Sequence, residues 1–152
     1  MIQQQIGRYI YKNLLKPINE QRFKKFTKDQ RSTFQYWYYH WKAFNLTALS
    51  LDVWKFKYLF HDIEKPWLKL FWPYWKVQVF HRTHNAHHLE YRKAPYYDYE
   101  AMVIDWECSG LTKVACPRTA IQEIKLKYEY HELSPYEYHK LLRTANELGL
   151  TK

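Results

Sequence analysis

Apolar residues recur at intervals of three and four along most of this chain, the spacing of one face of a helix. Ile6, Tyr9, Ile10 and Leu14 fall in this way over residues 3–14, until Pro17 interrupts them. Thr27-Lys-Asp-Gln30 has the form of a capping box, with Thr27 as N-cap and Gln30 reaching back, and predicts a helix from there to about Phe44. Phe34, Trp37, Trp41 and Phe44 form its apolar stripe, and His40 borders that stripe so that it can point inward. Residues 46–50 read as a short connection. Ser50 or Asp52 caps the next predicted helix, on which Val53, Phe56, Leu59 and Phe60 face the core and which ends near His61-Asp62.

Pro66 and Pro73 punctuate the next segment, which predicts a short helical turn between them and a new helix from Tyr74. That helix carries Val77, Phe80, His81, His84 and His88; at 100° per residue its three histidines lie within ~60° of one another, with His87 off their face. Arg92 to Pro95 reads as a loop. A helix from about Tyr97 carries Met102, Val103, Asp105 and Trp106 and stops at Ser109-Gly110. Pro117 suits the first turn of another, running to about Tyr130. Ser134-Pro-Tyr-Glu137 is a second capping box, with proline at the first helical position, and opens a final helix ending at Gly149. The pattern predicts an all-α bundle of six or seven helices and, at 152 residues, a single domain.

Composition sharpens this. Three glycines against 20% aromatic residues argue against a turn-rich all-β fold. No apolar run approaches the ~18 residues of a membrane span. Phe71-Trp72-Pro73-Tyr74-Trp75 has the make-up of an interfacial belt, but Lys69 and Lys76 bracket it, and no membrane partner is expected. The start, Met-Ile-Gln-Gln-Gln, lacks the charged end and apolar middle of a signal peptide, so a cytoplasmic location is expected. Cys108 and Cys116 fit neither a CxxC redox motif nor a zinc ribbon and read as reduced, largely buried thiols. The net charge of +9 favours anionic partners: nucleotides, nucleic acid or phosphates. Its densest run, Arg22 to Lys28, taken alone reads better as a solvated helix face.

The candidate chemistry lies in Phe60-His61-Asp62-Ile63-Glu64-Lys65-Pro66 and in His81-Arg-Thr-His84-Asn85-Ala-His87-His88, which together hold five of the eight histidines. An adjacent His-Asp pair offers one imidazole nitrogen and one carboxylate oxygen, a set suited to one or two divalent ions such as Mn, Fe, Co, Ni or Zn. His40, His61-Asp62 and Asp105 fall on three different predicted helices, and a bundle builds a central metal site from such separated groups. A water held there would be acidic enough to attack near neutral pH. Read alone, His40 is better explained as a packed, hydrogen-bonded histidine.

The arrangement of His40, then Phe60-His61-Asp62-Ile63-Glu64-Lys65, then Asp105 in Met102-Val-Ile-Asp105-Trp106 resembles the HD-domain superfamily of metal-dependent phosphohydrolases. It is similar in more detail to an uncharacterised family of small phage and bacterial proteins in that group. The likeness lies in His81-x3-Asn85-x-His87-His88-x-Glu90-Tyr91, in Glu100-x-Met102-x2-Asp105-Trp106, and in the Ser-Pro-led last helix. It covers about residues 36–142 and leaves the first 30 as an N-terminal extension.

The resemblance implies an HD-like bundle acting on a nucleotide or other small phosphate ester through a metal-activated water, in a bacterial or phage-infected cell. It implies His40, His61, Asp62 and Asp105 as ligands of a first ion. His81, with His87 or His88, either completes a second site or contacts phosphate. Catalytic roles fall to Asp62, Lys65 and Glu64, and substrate contacts to Lys65, His84 and Asn85. Glu90 or Glu100 could accept a ligand histidine's second N–H. Glu64 stands where the family has Gly or Ser, and could bind metal, act as base or face solvent; Ala86 stands where proline or a basic residue is commoner. Two other readings fit the same residues. One is a di-iron oxygenase on this scaffold. The other is a non-catalytic module holding nucleic acid or protein, with Tyr36-Trp-Tyr-Tyr-His-Trp-Lys42 or Trp72-Pro-Tyr-Trp-Lys76 stacking bases.

Overall fold

The computed structural model describes residues 33–91, 96–112 and 118–150. They form an all-α bundle of six helices: α1 (Thr33–Ser50), α2 (Glu64–Lys69), α3 (Tyr74–His84), α4 (Tyr99–Thr112), α5 (Ala120–Glu129) and α6 (Pro135–Glu147). A 3-10 turn, Phe56–Phe60, links α1 to α2. The centre is α4, packed against α1, α5 and α6. Its residues 101–105 are all buried, because a helix enclosed on every side needs no polar face. Met102, Val103 and Ile104 meet Phe44 and Ala48 of α1, Ile124 of α5 and Leu141 of α6 in the core. Burying each large side chain there contributes about 1.5–3 kcal/mol. The expected elements at residues 3–14, the Thr27 box, the Arg92–Pro95 loop, Cys116 and Pro117 lie outside the described residues.

Sequence expectation and structure part at several ends. Helix α1 does not stop near Phe44; it continues through the expected connection to Ser50. Asn45, Thr47 and Ser50 would favour a loop, but each returns a hydrogen bond to the carbonyl four residues earlier. Its buried face is His40, Ala43, Phe44, Thr47, Ala48 and Leu51; Phe34 is exposed. Asp52 caps no helix start. It ends α1 in a left-handed conformation (φ 60°), with Asp52 N–H on Leu49 O and Val53 N–H on Ala48 O, a Schellman motif. Of the segment expected to face the core, Phe56, Leu59 and Phe60 are exposed, and Tyr58 is the buried residue. Helix α3 ends at His84 and does not reach His88, while α4 passes Gly110 to Thr112.

The two C-terminal helices start on capping boxes, Thr119/Gln122 and the expected Ser134/Glu137 with Pro135 in the first turn. Helix α6 closes on a second Schellman motif around Gly149 (φ 67°), as expected.

Candidate metal centre

Four side chains from three parts of the fold converge beside the core. His40 arrives from the buried face of α1 and Asp105 from α4. His61 and Asp62 come from the link between the 3-10 turn and α2. In a regular helix neighbouring side chains diverge by ~100°. Here Asp62 takes φ 58°, the left-handed region that Asp tolerates better than most residues, so both members of the pair can enter one site. The link is fastened to α1 by Trp37 Nε1 on His61 O (3.3 Å), Trp41 Nε1 on Leu59 O (2.8 Å) and Asn45 Nδ2 on Tyr58 O (3.0 Å). The His61 ring stacks on Phe44 with centroids 3.6 Å apart.

His40 Nε2 stands 2.8 Å from Asp105 Oδ1, 3.3 Å from His61 Nε2 and 3.6 Å from Asp62 Oδ2. His61 Nε2 is 3.5 Å from both Asp62 Oδ1 and Asp105 Oδ1. Donors on one ion, at bond lengths near 2.0–2.2 Å, stand about 3.0–3.5 Å apart. A second set shares Asp62: its Oδ1 lies 3.3 Å from both His81 Nε2 and His87 Nε2, and His88 Nε2 lies 2.6 Å from His81 Nε2. Asp62 Oδ1 and His87 Nε2 are buried without a hydrogen-bond partner among the described residues. Buried polar atoms left so call for a ligand. These residues could hold a metal ion.

Glu64 defines how His81 is held. Its Oε1 accepts Nδ1–H of His81 at 2.5 Å and an N–H of Asn85 at 2.7 Å, which leaves the His81 Nε2 lone pair facing Asp62. Asn85 also terminates α3, its side chain donating to His81 O at 3.2 Å. The chain then turns and brings His87 inward, whereas the regular helix would have kept it off the face. His84 is exposed, stacked on Phe80, and does not join the cluster. Lys65 does, but its buried Nζ donates to Asp62 Oδ2 at 2.5 Å. Glu90 pairs with Arg82, and Glu100 with Lys55 and Tyr58; neither accepts from a cluster histidine.

Two contributors escaped the sequence reading. Tyr36 stacks on His40 one turn before it, and burial pushes its hydroxyl pKa up to about 12. Cys108, one turn past Asp105, donates to Asp105 O at 3.2 Å and lies 3.9 Å from His40 Nδ1. Helical spacing from His40 and Asp105 was the signal for both. A cleft of about 200 Å³, lined by Lys57, Tyr58, Phe60, Asn85 and Asp98, opens onto His61, Asp62 and His87.

Burial lowers the pKa of His61 to about 4 and of His88 to about 2, and lowers His81 as well. Burial would raise Asp62 and Asp105, but the histidines around both, with Lys65 beside Asp62, hold them well below the usual carboxylate range. In chelator, the unfolded chain takes up protons on these histidines below their ordinary value of 6.5, while the folded chain holds His61 neutral until about 4. More protons on the unfolded state means that stability is lost as pH falls through that window and regained as it rises. His87, raised by Asp62 against burial, contributes with the opposite sign, one group against three. Melting temperature by circular dichroism should therefore drop steadily from pH 7 to pH 4.5; a flat profile would contradict a neutral imidazole cluster.

Compared with protein-family models, with curated proteins and with solved structures, the chain matches none.

Proposed function

We propose that this protein is a metal-dependent phosphohydrolase of the HD type acting on a nucleotide or other small phosphate ester. One observation carries the reading: His40 Nε2 and His61 Nε2, 3.3 Å apart, each lie 2.8–3.6 Å from a carboxylate oxygen of both Asp62 and Asp105. One or two ions of Mn, Fe, Co, Ni or Zn held there would supply Lewis acidity and an acidic water for attack on phosphorus. Asp62 stands between the two donor sets and is the group they share. Lys65 acts through Asp62, keeping its carboxylate ionised and oriented, and not as a phosphate contact reaching into the cleft. Glu64 fixes the tautomer of His81. Substrate would enter by the cleft, where Lys57 and Asn85 face it.

The test is metal analysis by mass spectrometry, then Mn-, Co- or Fe-loaded protein offered a panel of nucleotides and sugar phosphates. Release of phosphate or pyrophosphate is expected, and loss of that activity in the double variant His61→Ala/Asp62→Ala. Equal activity in the variant would refute the assignment. Iron-dependent oxygen consumption without phosphate release would select the di-iron oxygenase instead, a reading that the imidazole-rich set of His81, His87 and His88 supports.

A further inference from the structure

From the end of α2 to the start of α3 the chain leaves large apolar side chains outside the core. Phe71 is 81% exposed, Leu70 70%, Trp75 68% and Trp67 63%. Helical hydrogen bonding continues past α2, with Leu70 N–H on Trp67 O and Trp72 N–H on Leu68 O. Trp67, Leu70 and Phe71, at i, i+3 and i+4, therefore share a face. Trp75 comes next, at the start of α3, beyond the extended Pro73. Single exposed apolar residues need no explanation, but a group of this size on one turn marks a contact surface.

The charge around it identifies the partner. From Glu64 to Glu90 the intervening sequence holds no Asp or Glu, but has Lys65, Lys69, Lys76 and Arg82. Lys65 is buried on Asp62, and Arg82 pairs with Glu90. Lys69 and Lys76 are exposed beside the apolar side chains, and the Lys76 ammonium stands 4.6 Å over the Trp72 ring. Cations beside indole rings, with apolar tips next to them, suit the boundary between lipid headgroups and acyl chains. Leu70 separates this from nucleic acid, because base stacking rewards aromatic faces whereas insertion into hydrocarbon rewards any apolar side chain. Among the described residues no helix is long and apolar enough to cross a membrane, so the contact would be from one side.

We propose that the turn joining α2 to α3 docks on an anionic lipid bilayer, with Trp67, Leu70, Phe71 and Trp75 entering the interface and Lys69 and Lys76 on the lipid phosphates. This departs from the sequence expectation of no membrane partner, in which Lys69 and Lys76 stood against an interfacial belt. Both are exposed and free to meet lipid phosphates while the apolar side chains enter the interface, and the docking is independent of any activity at the metal centre.

The full chain is sedimented with phosphatidylcholine vesicles, with and without phosphatidylglycerol, at low and high salt. Binding to the anionic vesicles is expected, weakened by salt, with a blue shift of tryptophan fluorescence. Leu70→Ser/Phe71→Ser should lower vesicle affinity at least about tenfold. Lys69→Glu/Lys76→Glu should remove the preference for phosphatidylglycerol. Both variants should keep the wild-type dichroism spectrum and melting temperature, since the side chains lie outside the core. No binding at low salt, or unchanged binding in both variants, overturns the proposal. So does binding of a single-stranded oligonucleotide, or a dimer seen by light scattering, that Leu70→Ser/Phe71→Ser abolishes; these assign the face to nucleic acid or to a second copy.

Discussion

Changing Asp62 to asparagine should lower affinity for a divalent ion at least about 100-fold, because it takes the shared carboxylate from both donor sets. It should also destabilise the fold by about 3–5 kcal/mol, because Lys65 is left as a buried cation facing a neutral amide. Asparagine accepts the left-handed backbone at this position, so strain does not confuse the result. The two losses should separate in Asp62→Asn/Lys65→Met. The double variant leaves no unpaired buried ion, so stability should largely return while metal affinity does not. Urea denaturation in chelator reads the first effect, and titration calorimetry with Mn reads the second. Wild-type affinity and stoichiometry in Asp62→Asn would mean that the cluster is a polar network and not a metal centre.

How much of this is legible in the chain depends on whether a local signal or a tertiary contact decides each feature. The Ser134-Pro-Tyr-Glu137 box and Gly149 frame α6 correctly, because cap bonds are made within the helix itself. The end of α1 is misread, because Thr47 and Ser50 are loop formers in isolation and helix residues once Ala48 and Leu51 pack against the core. Asp52 looks like an N-cap. The same short side chain that suits a cap also tolerates positive φ, and sequence alone does not separate the two uses.

The site divides along the same line. His40 and Asp105 are readable because each sits on a helix whose apolar neighbours point its side chain inward. His84 and His87 exchange places because α3 stops at Asn85, whose side chain bonds both to His81 in the helix's own last turn and to Glu64 outside it, and the second bond is not visible from the local sequence. Glu64 stands out in the sequence as a departure from the pattern the chain resembles, yet its use emerges only from geometry: it holds a histidine that a Gly or Ser in its place could not.

Truncating Phe44 to alanine should test whether core and site are one unit. Phe44 is fully buried, with its ring flat on His61 and edge-on to Tyr58. The lost burial and the cavity left behind should cost about 3–5 kcal/mol, a large share of the ~5–15 kcal/mol that holds a domain folded. The melting temperature should fall by about 10 °C or more. Phe44→Leu keeps most of the volume and should cost less, while still freeing the imidazole from its stack. Metal should then act as a readout. An ion that binds the folded chain at about 100 times its Kd adds ~2.7 kcal/mol. Saturating Mn should therefore raise the melting temperature of the wild type, and of Phe44→Ala only at higher concentration, because His61 must be ordered at the moment of binding. Phe44→Ala and wild type responding to Mn at equal concentrations would show that His61 is held by the link from Phe60 to Glu64 alone. A shifted response would show that the apolar core reaches the metal through a single aromatic face.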